Sequence, residues 1–348
     1  MAIFDPRNIS PKSSLSYSKE HGINSINVRA LLGTIIGKGD LNPSSWHQQE
    51  LISKKLVATL RPLPNLKLIH TLTSPIDGFQ KLIFETEDNL KIETVIIPLH
   101  VENRVSICLS SQVGCVMACD FCATARMTSR RNLKSWEILD QMRQARALAT
   151  SHGKKVTGAV FMGMGEPFLN YDNVMIAAEH LCFPVANAIT SKAITISTVG
   201  LVQEIDRFTN ENRPFRLSIS LGSAFDNKRK KLIPVAARTS VIDLMAAAKR
   251  HAIARKDRVM LAYVCISEEN ILEEDAKELA KIIGETKVRL DLIDVNDSTG
   301  KYKKPSEEEI KQFRDWLNFY LKQPVARRYS GGSDIRAACG TLEGNAML

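Results

Sequence analysis

The chain has 348 residues, of which 44% are hydrophobic and 24% charged, enough for a large buried core and typical of a globular protein. No apolar run approaches the ~20 residues of a membrane helix. The opening Met1-Ala-Ile-Phe-Asp-Pro shows no basic-then-apolar leader, and an odd count of 7 cysteines is a poor disulfide scaffold, so neither a membrane protein nor a small secreted domain is expected, and a reducing cytoplasm is. The formal net charge of +9 and a pI near 9.2 point to a polyanionic partner, with nucleic acid the first candidate.

Residues 1–75 differ from the rest by pattern. They carry Ser, Asn, Pro and Lys punctuation, a short helix over Asn24–Ile36 and a helical stretch over Ser45–Leu60, and they read as a small N-terminal accessory region. Residues 76–103 read as a β-hairpin extension: Gln80–Thr86, a Glu87-Asp88-Asn89 turn, then Leu90–Pro98. From 104 to 348 a strand–helix rhythm takes over. Strands are expected at 104–110, 157–163, 193–198, 215–221, 258–264 and 287–293. Helices are expected at 135–151, 172–182, 201–209, 241–253, 271–284 and 306–322, followed by an extended piece at 325–329. Six alternations imply an α/β fold with a parallel sheet, doubly wound or curled into a partial barrel. Ser106, Cys108 and Ser110 share one strand face, as do Thr195 and Ser197, and Ser218 and Ser220. A sheet covered by helices on both sides should be apolar on both. The repeated small polar residues are read as the lumen of an open barrel, with the site at the strand C-terminal ends.

Cys115-Val-Met-Ala-Cys119-Asp-Phe-Cys122 follows the strand at 104–110. Three thiolates this close can hold three irons of a four-iron four-sulfur cubane and leave the fourth open to a small molecule. Structural zinc usually takes four ligands in paired CxxC or His spacing, and neither is present. Basic clusters follow: Arg126, Arg130, Arg131 and Lys134, then Lys228-Arg-Lys-Lys231, then Lys249–Arg258, then Arg327 and Arg328. Such clusters are commonly solvated faces. Those after the cysteines are expected to line a substrate mouth.

Gly163-Met-Gly165-Glu166-Pro167 follows the second parallel strand. Its glycines would let backbone approach a ligand, and Glu166 offers an anion for an ammonium group. Cys108 is either a small buried packing residue, the usual fate of a free Cys, or a lumen thiol, and its serine neighbours favour the second. Cys339 sits in Tyr329-Ser-Gly-Gly-Ser-Asp-Ile-Arg-Ala-Ala-Cys339-Gly340, a glycine-rich loop that reads as mobile. Cys182 and Cys265 read as packing residues. Glu93, in the second hairpin strand, would ordinarily face solvent.

Taken in order, Ile92-Glu-Thr-Val95, Cys108-Leu-Ser-Ser-Gln-Val-Gly-Cys115, Cys119-Asp-Phe-Cys122, Met162-Gly-Met-Gly-Glu-Pro167 and Asp334-Ile-Arg-Ala-Ala-Cys-Gly340 resemble the RlmN/Cfr family of radical S-adenosylmethionine RNA (adenine) methyltransferases. The resemblance spans roughly 90–342. It implies a partial (β/α)6 TIM-like barrel of the radical SAM type, acting on carbon 2, in preference to carbon 8, of an adenosine in ribosomal and/or transfer RNA. It implies a 4Fe-4S cluster on Cys115, Cys119 and Cys122, and S-adenosylmethionine, two per turnover, contacted by Gly165, Glu166, Ser197, Ser220, Gly222 and Asn296. Cys339 would carry the methyl group, Cys108 would resolve it through a transient disulfide with Cys339, and Glu93 would accept a proton. A donor such as flavodoxin or ferredoxin would supply electrons. Two departures are visible: Gly222 stands where the family usually has His, and Asn296 sits in Ile293-Asp-Val-Asn296-Asp297 rather than a proline-flanked stretch. The competing functions are a radical SAM enzyme acting on a peptide or small metabolite, and a basic RNA-binding protein with a non-catalytic cluster.

Overall fold

The computed structural model describes residues 5–344 apart from 21, 47, 48, 59, 61, 62 and 186. The N-terminal part is helical: α1 (Pro11–Glu20), α2 (Ser25–Leu32) running into a π-helical turn at Gly33–Lys38, α3 (Pro43–Trp46) and α4 (Lys54–Val57). The helix expected over 45–60 is thus two short pieces, with residues 47, 48 and 59 outside the description. Ser53 is the reason a new helix starts: its hydroxyl accepts from the Leu56 amide as an N-cap.

Ten strands form one sheet: β1 (Lys67–Thr73), β2 (Gln80–Glu85), β3 (Lys91–Pro98), β4 (Arg104–Cys108), then, after the two-residue pair β5 (Gln112–Val113) and β6 (Arg131–Asn132), β7 (Lys155–Phe161), β8 (Ile194–Thr198), β9 (Arg216–Ser220), β10 (Val259–Cys265), β11 (Val288–Asp294) and β12 (Val325–Arg328). The spatial order is β1-β2-β3-β4-β7-β8-β9-β10-β11-β12. The first four strands pair antiparallel, and from β4 onward every pairing is parallel. The crossovers are α5 (Ser135–Ser151), α6 (Tyr171–Cys182), α7 (Val202–Asn210), α8 (Asp226–Leu232) with α9 (Val241–Arg255), α10 (Glu273–Ile283) and α11 (Glu307–Leu321). This is the open, partial (β/α) barrel expected, extended by the hairpin. Strand β1 was not foreseen. Its residues are exposed or partly exposed on both faces, so Lys-Leu-Ile-His-Thr-Leu-Thr carries no clean period-2 signal. Among the described residues no helix is long and apolar enough to cross a membrane.

The lumen expectation holds in part. Ser197 and Ser220 point into the barrel cleft, but β10 and β11 contribute Ala262, Val264 and Ile293. The opposite faces, with Ile107, Ile196 and Ile219, are fully buried under the helices. One apolar cluster joins the barrel helices to Leu31, Leu32 and Trp46 of the N-terminal region. The N-terminus is held by Arg7, which is buried, pairs with Asp5 at 2.8 Å and lies 5.3 Å over the Trp136 ring. The Ser135 hydroxyl donates to the Arg7 carbonyl at 2.7 Å.

Trp136, 1% exposed at the start of α5, is where this docking meets the core. Trp136→Ala should lower stability by about 3–5 kcal/mol, read as a fall in the thermal midpoint of the cofactor-free protein.

Candidate active site

The parallel strands end around a cleft of about 1030 Å³, counted out to its open mouth. Cys115, Cys119 and Cys122 line one side of it. Gly165, Glu166, Ser197, Ser220 and Asn296 line the rest, with Cys339 at its edge. The loop that carries the three cysteines starts at Gly114, whose φ of +62° suits glycine and where a Cβ would lie 2.4 Å from the Ser129 carbonyl. Ala118 between the first two cysteines takes φ +53°, turning the chain sharply. The loop is then anchored from two directions. The Asp120 amide donates to the Leu232 carbonyl at 3.0 Å, and the Ala123 amide donates to the Gly340 carbonyl at 2.7 Å.

The three thiols fit an iron–sulfur cluster. Burial pushes Cys115 up to about 12 and raises Cys119 and Cys122, and Cys119 is raised further by the charge of the other two. Three thiolates in an apolar pocket repel each other, so a positive metal core is what makes their ionisation favourable. Among the described residues no three His, Cys, Asp or Glu side chains gather tightly enough for a single metal ion. The thiols instead offer separate attachment points around the cavity wall, as a cubane requires, each iron taking its own sulfur.

Glu166 is 2% exposed. Its carboxylate accepts from the Phe168 amide at 3.0 Å and the Val199 amide at 2.9 Å. Burial nevertheless raises it to about 7. The Thr198 side chain also bonds it, and the carboxylate lines the cleft, where an incoming ammonium group would restore the charged form. The glycines beside it line the cleft and also have a packing use. A Cβ on Gly163 would lie 2.8 Å from the Leu109 carbonyl carbon, and one on Gly165 (φ +99°) would lie 2.5 Å from the Gln112 Cβ. They let this turn lace into the loop after β4, through bonds from the Ser111 amide to the Met164 carbonyl (2.8 Å) and from the Glu166 amide to Gln112 Oε1 (2.8 Å).

The structure brings Cys339 and Cys108 to one place. A second cavity, about 530 Å³, is lined by Cys108, Cys339, Val95, Met162 and Arg328. Cys339 therefore borders both cavities and is itself exposed. Cys108 is buried, and burial raises its thiol strongly, with Arg328 the nearest cation opposing that rise. The glycine loop before Cys339 is less free than its composition suggests. A Cβ on Gly331 would lie 2.4 Å from the Phe79 ring, and the Gly332 amide donates to Asp77 at 2.8 Å. Glu93 faces inward, 0% exposed, against the solvent-facing habit of such glutamates. Its partner is Lys81, with 3.5 Å between ammonium and carboxylate. Burial, only partly offset by Lys81, raises Glu93 to about 7.

Two sets of residues singled out in the sequence are not among those lining the cleft. Gly222 does not line the cleft: it takes φ +73°, its Cβ direction points at Ile233 at 3.0 Å, and its carbonyl accepts from Asn270 at 2.9 Å. None of Arg126, Arg130, Arg131 and Lys134 lines the cleft either. Arg131 is spent on Glu137 and Asp88, at 2.8 and 2.6 Å. Conversely, Met162 and Arg229 matter more than the sequence suggested. Met162 lines both cavities, and Arg229, counted within a solvated basic run, is 1% exposed.

The profile of the radical SAM superfamily matches residues 109–283. The chain is thus a radical SAM enzyme. It is 46% identical to a "Probable RNA methyltransferase" of Myxococcus xanthus over 80% of this chain and 76% of that one. It is 36% identical to a "Probable dual-specificity RNA methyltransferase RlmN" of Leptospira biflexa, over 80% and 78%. A crystal structure of a radical SAM methyltransferase from Sphaerobacter thermophilus superposes with a TM-score of 0.88 at 31% identity, covering 99% of this chain and all of that one. The chain belongs to the RlmN/Cfr family of radical SAM methyltransferases.

Gly165→Ala should disrupt the Glu166 turn. S-adenosylmethionine affinity should fall at least tenfold by calorimetry, while the iron content of reconstituted protein, set by the cysteine loop, stays near wild type.

Proposed function

We propose that the protein methylates an adenosine base in RNA, at carbon 2 in preference to carbon 8, in ribosomal and/or transfer RNA, using two S-adenosylmethionine molecules per turnover. The observation that carries this reading is the position of Cys339, which borders both the cysteine-lined cleft and the smaller cavity holding Cys108. A carrier thiol must reach the cofactor first and the resolving thiol afterwards, and here the two cavities adjoin through it. The RNA target is supported by the names of the relatives and by the net charge of +9.

When bound, the cluster supplies the single electron that splits the sulfonium of S-adenosylmethionine. The residues do the rest. Glu166, with Ser197, Ser220 and Asn296, holds the amino-acid end of the cofactor in the cleft. The Asn296 amide donates to Ser330 at 2.8 Å, tying this wall to the Cys339 loop. Cys339 takes a methyl group by displacement and presents it to the adenine ring, whose C–H carbon is not nucleophilic and so is reached by a carbon radical. The methyl group gives up one hydrogen atom, which ends in 5′-deoxyadenosine, and so becomes that carbon radical. Once it has added to the ring, Glu93 takes the proton lost from that position and the remaining unpaired electron would pass to the cluster. The Cys108 sulfur then bonds to the Cys339 sulfur. The bond from that sulfur to the new carbon breaks, its electron pair takes up a proton, and a methyl group remains on the base. The disulfide so formed is reduced before the next cycle. A flavodoxin or ferredoxin in a reducing cytoplasm is the proposed electron source.

The test is anaerobic reconstitution with reductant, S-adenosylmethionine and RNA, followed by mass spectrometry of nucleosides. The expected products are 5′-deoxyadenosine and a C-methylated adenosine, and an unmodified RNA sinks the proposal. Cys339→Ala should abolish methylation, a drop of at least a thousandfold, while some cofactor cleavage persists. Cys108→Ala should leave RNA covalently attached to the protein, visible as a nuclease-sensitive shift on a denaturing gel.

The pH dependence follows from Glu93. As a proton acceptor it works only when ionised, and its value of about 7 sits above the ordinary 4.5. Methylation should therefore fall about tenfold for each pH unit below 7. Glu93→Gln should abolish that dependence along with most of the rate.

A further inference from the structure

Arg229 lies in α8 within Lys228-Arg-Lys-Lys231, a run that reads as a solvated patch. Lys228 fits that reading, paired with Asp275 at 2.9 Å and Glu274 at 3.1 Å. Arg229 does not. Its side chain turns inward beneath the ends of β8 and β9, where its guanidinium donates to the carbonyls of Val199, Ser220 and Leu221. Two of those residues, Val199 and Ser220, line the cleft. Its Nε is buried with no hydrogen-bond partner. Among the described residues no carboxylate pairs with it, and Asp226 acts only from further off.

A buried guanidinium satisfied by neutral carbonyls still carries a full charge that needs an anion nearby. The anion this fold offers is the cysteine loop. Cys119 and Val199, whose carbonyl Arg229 bonds, both pack against a small apolar cluster that includes Leu232 and Ile233 at the end of α8, and the Asp120 amide bonds the Leu232 carbonyl. Of the charged groups acting on Arg229, Cys119 contributes most to keeping it protonated against the pull of burial. Three thiolates around a dipositive cluster core leave a net negative charge, which grows by one unit on reduction.

We propose that Arg229 is a positioning residue whose buried charge offsets the thiolate cage at Cys119 and raises the reduction potential of the cluster held there. This rests on the three-cysteine cluster reading, and it adds a residue that the cysteine motif does not contain. The same side chain clamps the loops after β8 and β9, so it couples the shape of the cofactor wall to the charge of the cage.

The test uses full-length protein, anaerobically reconstituted without S-adenosylmethionine, as wild type, Arg229→Lys, Arg229→Gln and Arg229→Met. Iron and sulfide per chain are measured first, and a redox titration is then followed by electron paramagnetic resonance. The expected result is a midpoint potential displaced to more negative values in Arg229→Gln and Arg229→Met, with Arg229→Lys closer to wild type, at equal iron content. Arg229→Gln keeps a donor for the carbonyls, so it reports on charge if Arg229→Met fails to fold. Equal potentials across the foldable variants overturn the proposal. So does an unchanged potential with weakened S-adenosylmethionine binding, which would assign the guanidinium to the cofactor's carboxylate. If wild type itself assembles no cluster, the three-cysteine reading fails, a result distinct from either of these.

Discussion

The bond from the Ala123 amide to the Gly340 carbonyl, 2.7 Å long, joins two segments more than two hundred residues apart. One holds the cluster thiols and the other the carrier thiol. The Thr124 hydroxyl, donating to the Leu342 carbonyl at 2.6 Å, repeats the staple one residue on. They add to the bonds that Asp77, Lys81 and Asn296 make to the same C-terminal segment. With them, Cys339 is fixed at the border between the cofactor cleft and the Cys108 cavity. The open barrel makes this possible, because β1 and β12 end the sheet on either side of a gap that a loop can close.

Two carboxylates of the proposed mechanism are buried, Glu166 in the cleft wall and Glu93 on β3, outside the residues that line the cleft. Glu166 and Glu93 are both pushed toward neutrality by burial. Glu166 is held by two backbone amides and the Thr198 side chain, and Glu93 faces the Lys81 ammonium at 3.5 Å. A carboxylate poised near neutral pH can bind a cation or take a proton at small cost. Lys81 also donates to the Arg336 carbonyl at 3.2 Å, three residues before Cys339, so the pair that sets Glu93 also holds the carrier loop. Arg229 supplies a buried cation on the cluster side with no carboxylate partner among the described residues, and its three carbonyl partners show how a charge can be housed without one.

Much of the fold was legible because parallel strands and amphipathic helices announce themselves locally. All six expected strand–helix units formed, and the hairpin matched to within a residue or two. The failures share a cause. The helix over 45–60 broke because a Ser53 cap competes with continuation, and β1 was missed because an edge strand need not alternate. The site showed the same division. The cysteine triplet and Glu166 were readable from residue type and spacing. The glycines of Gly163-Met-Gly165 were read as room for a ligand, and the tertiary structure adds a second constraint, the loop after β4 pressing on them.

Sequence by itself determined the chemistry: three clustered thiols, an acid after a glycine turn, and two further thiols in a basic α/β chain. Those are properties of side-chain type and short-range spacing, which tertiary structure cannot alter. Only the fold decided which charges act. It buried Arg229 while leaving Lys228 at the surface, turned Glu93 inward, spent Arg131 on structural pairs and moved Gly222 away from the cleft. Burial and long-range contact set the energy of a charge, and neither is encoded at the position that carries it.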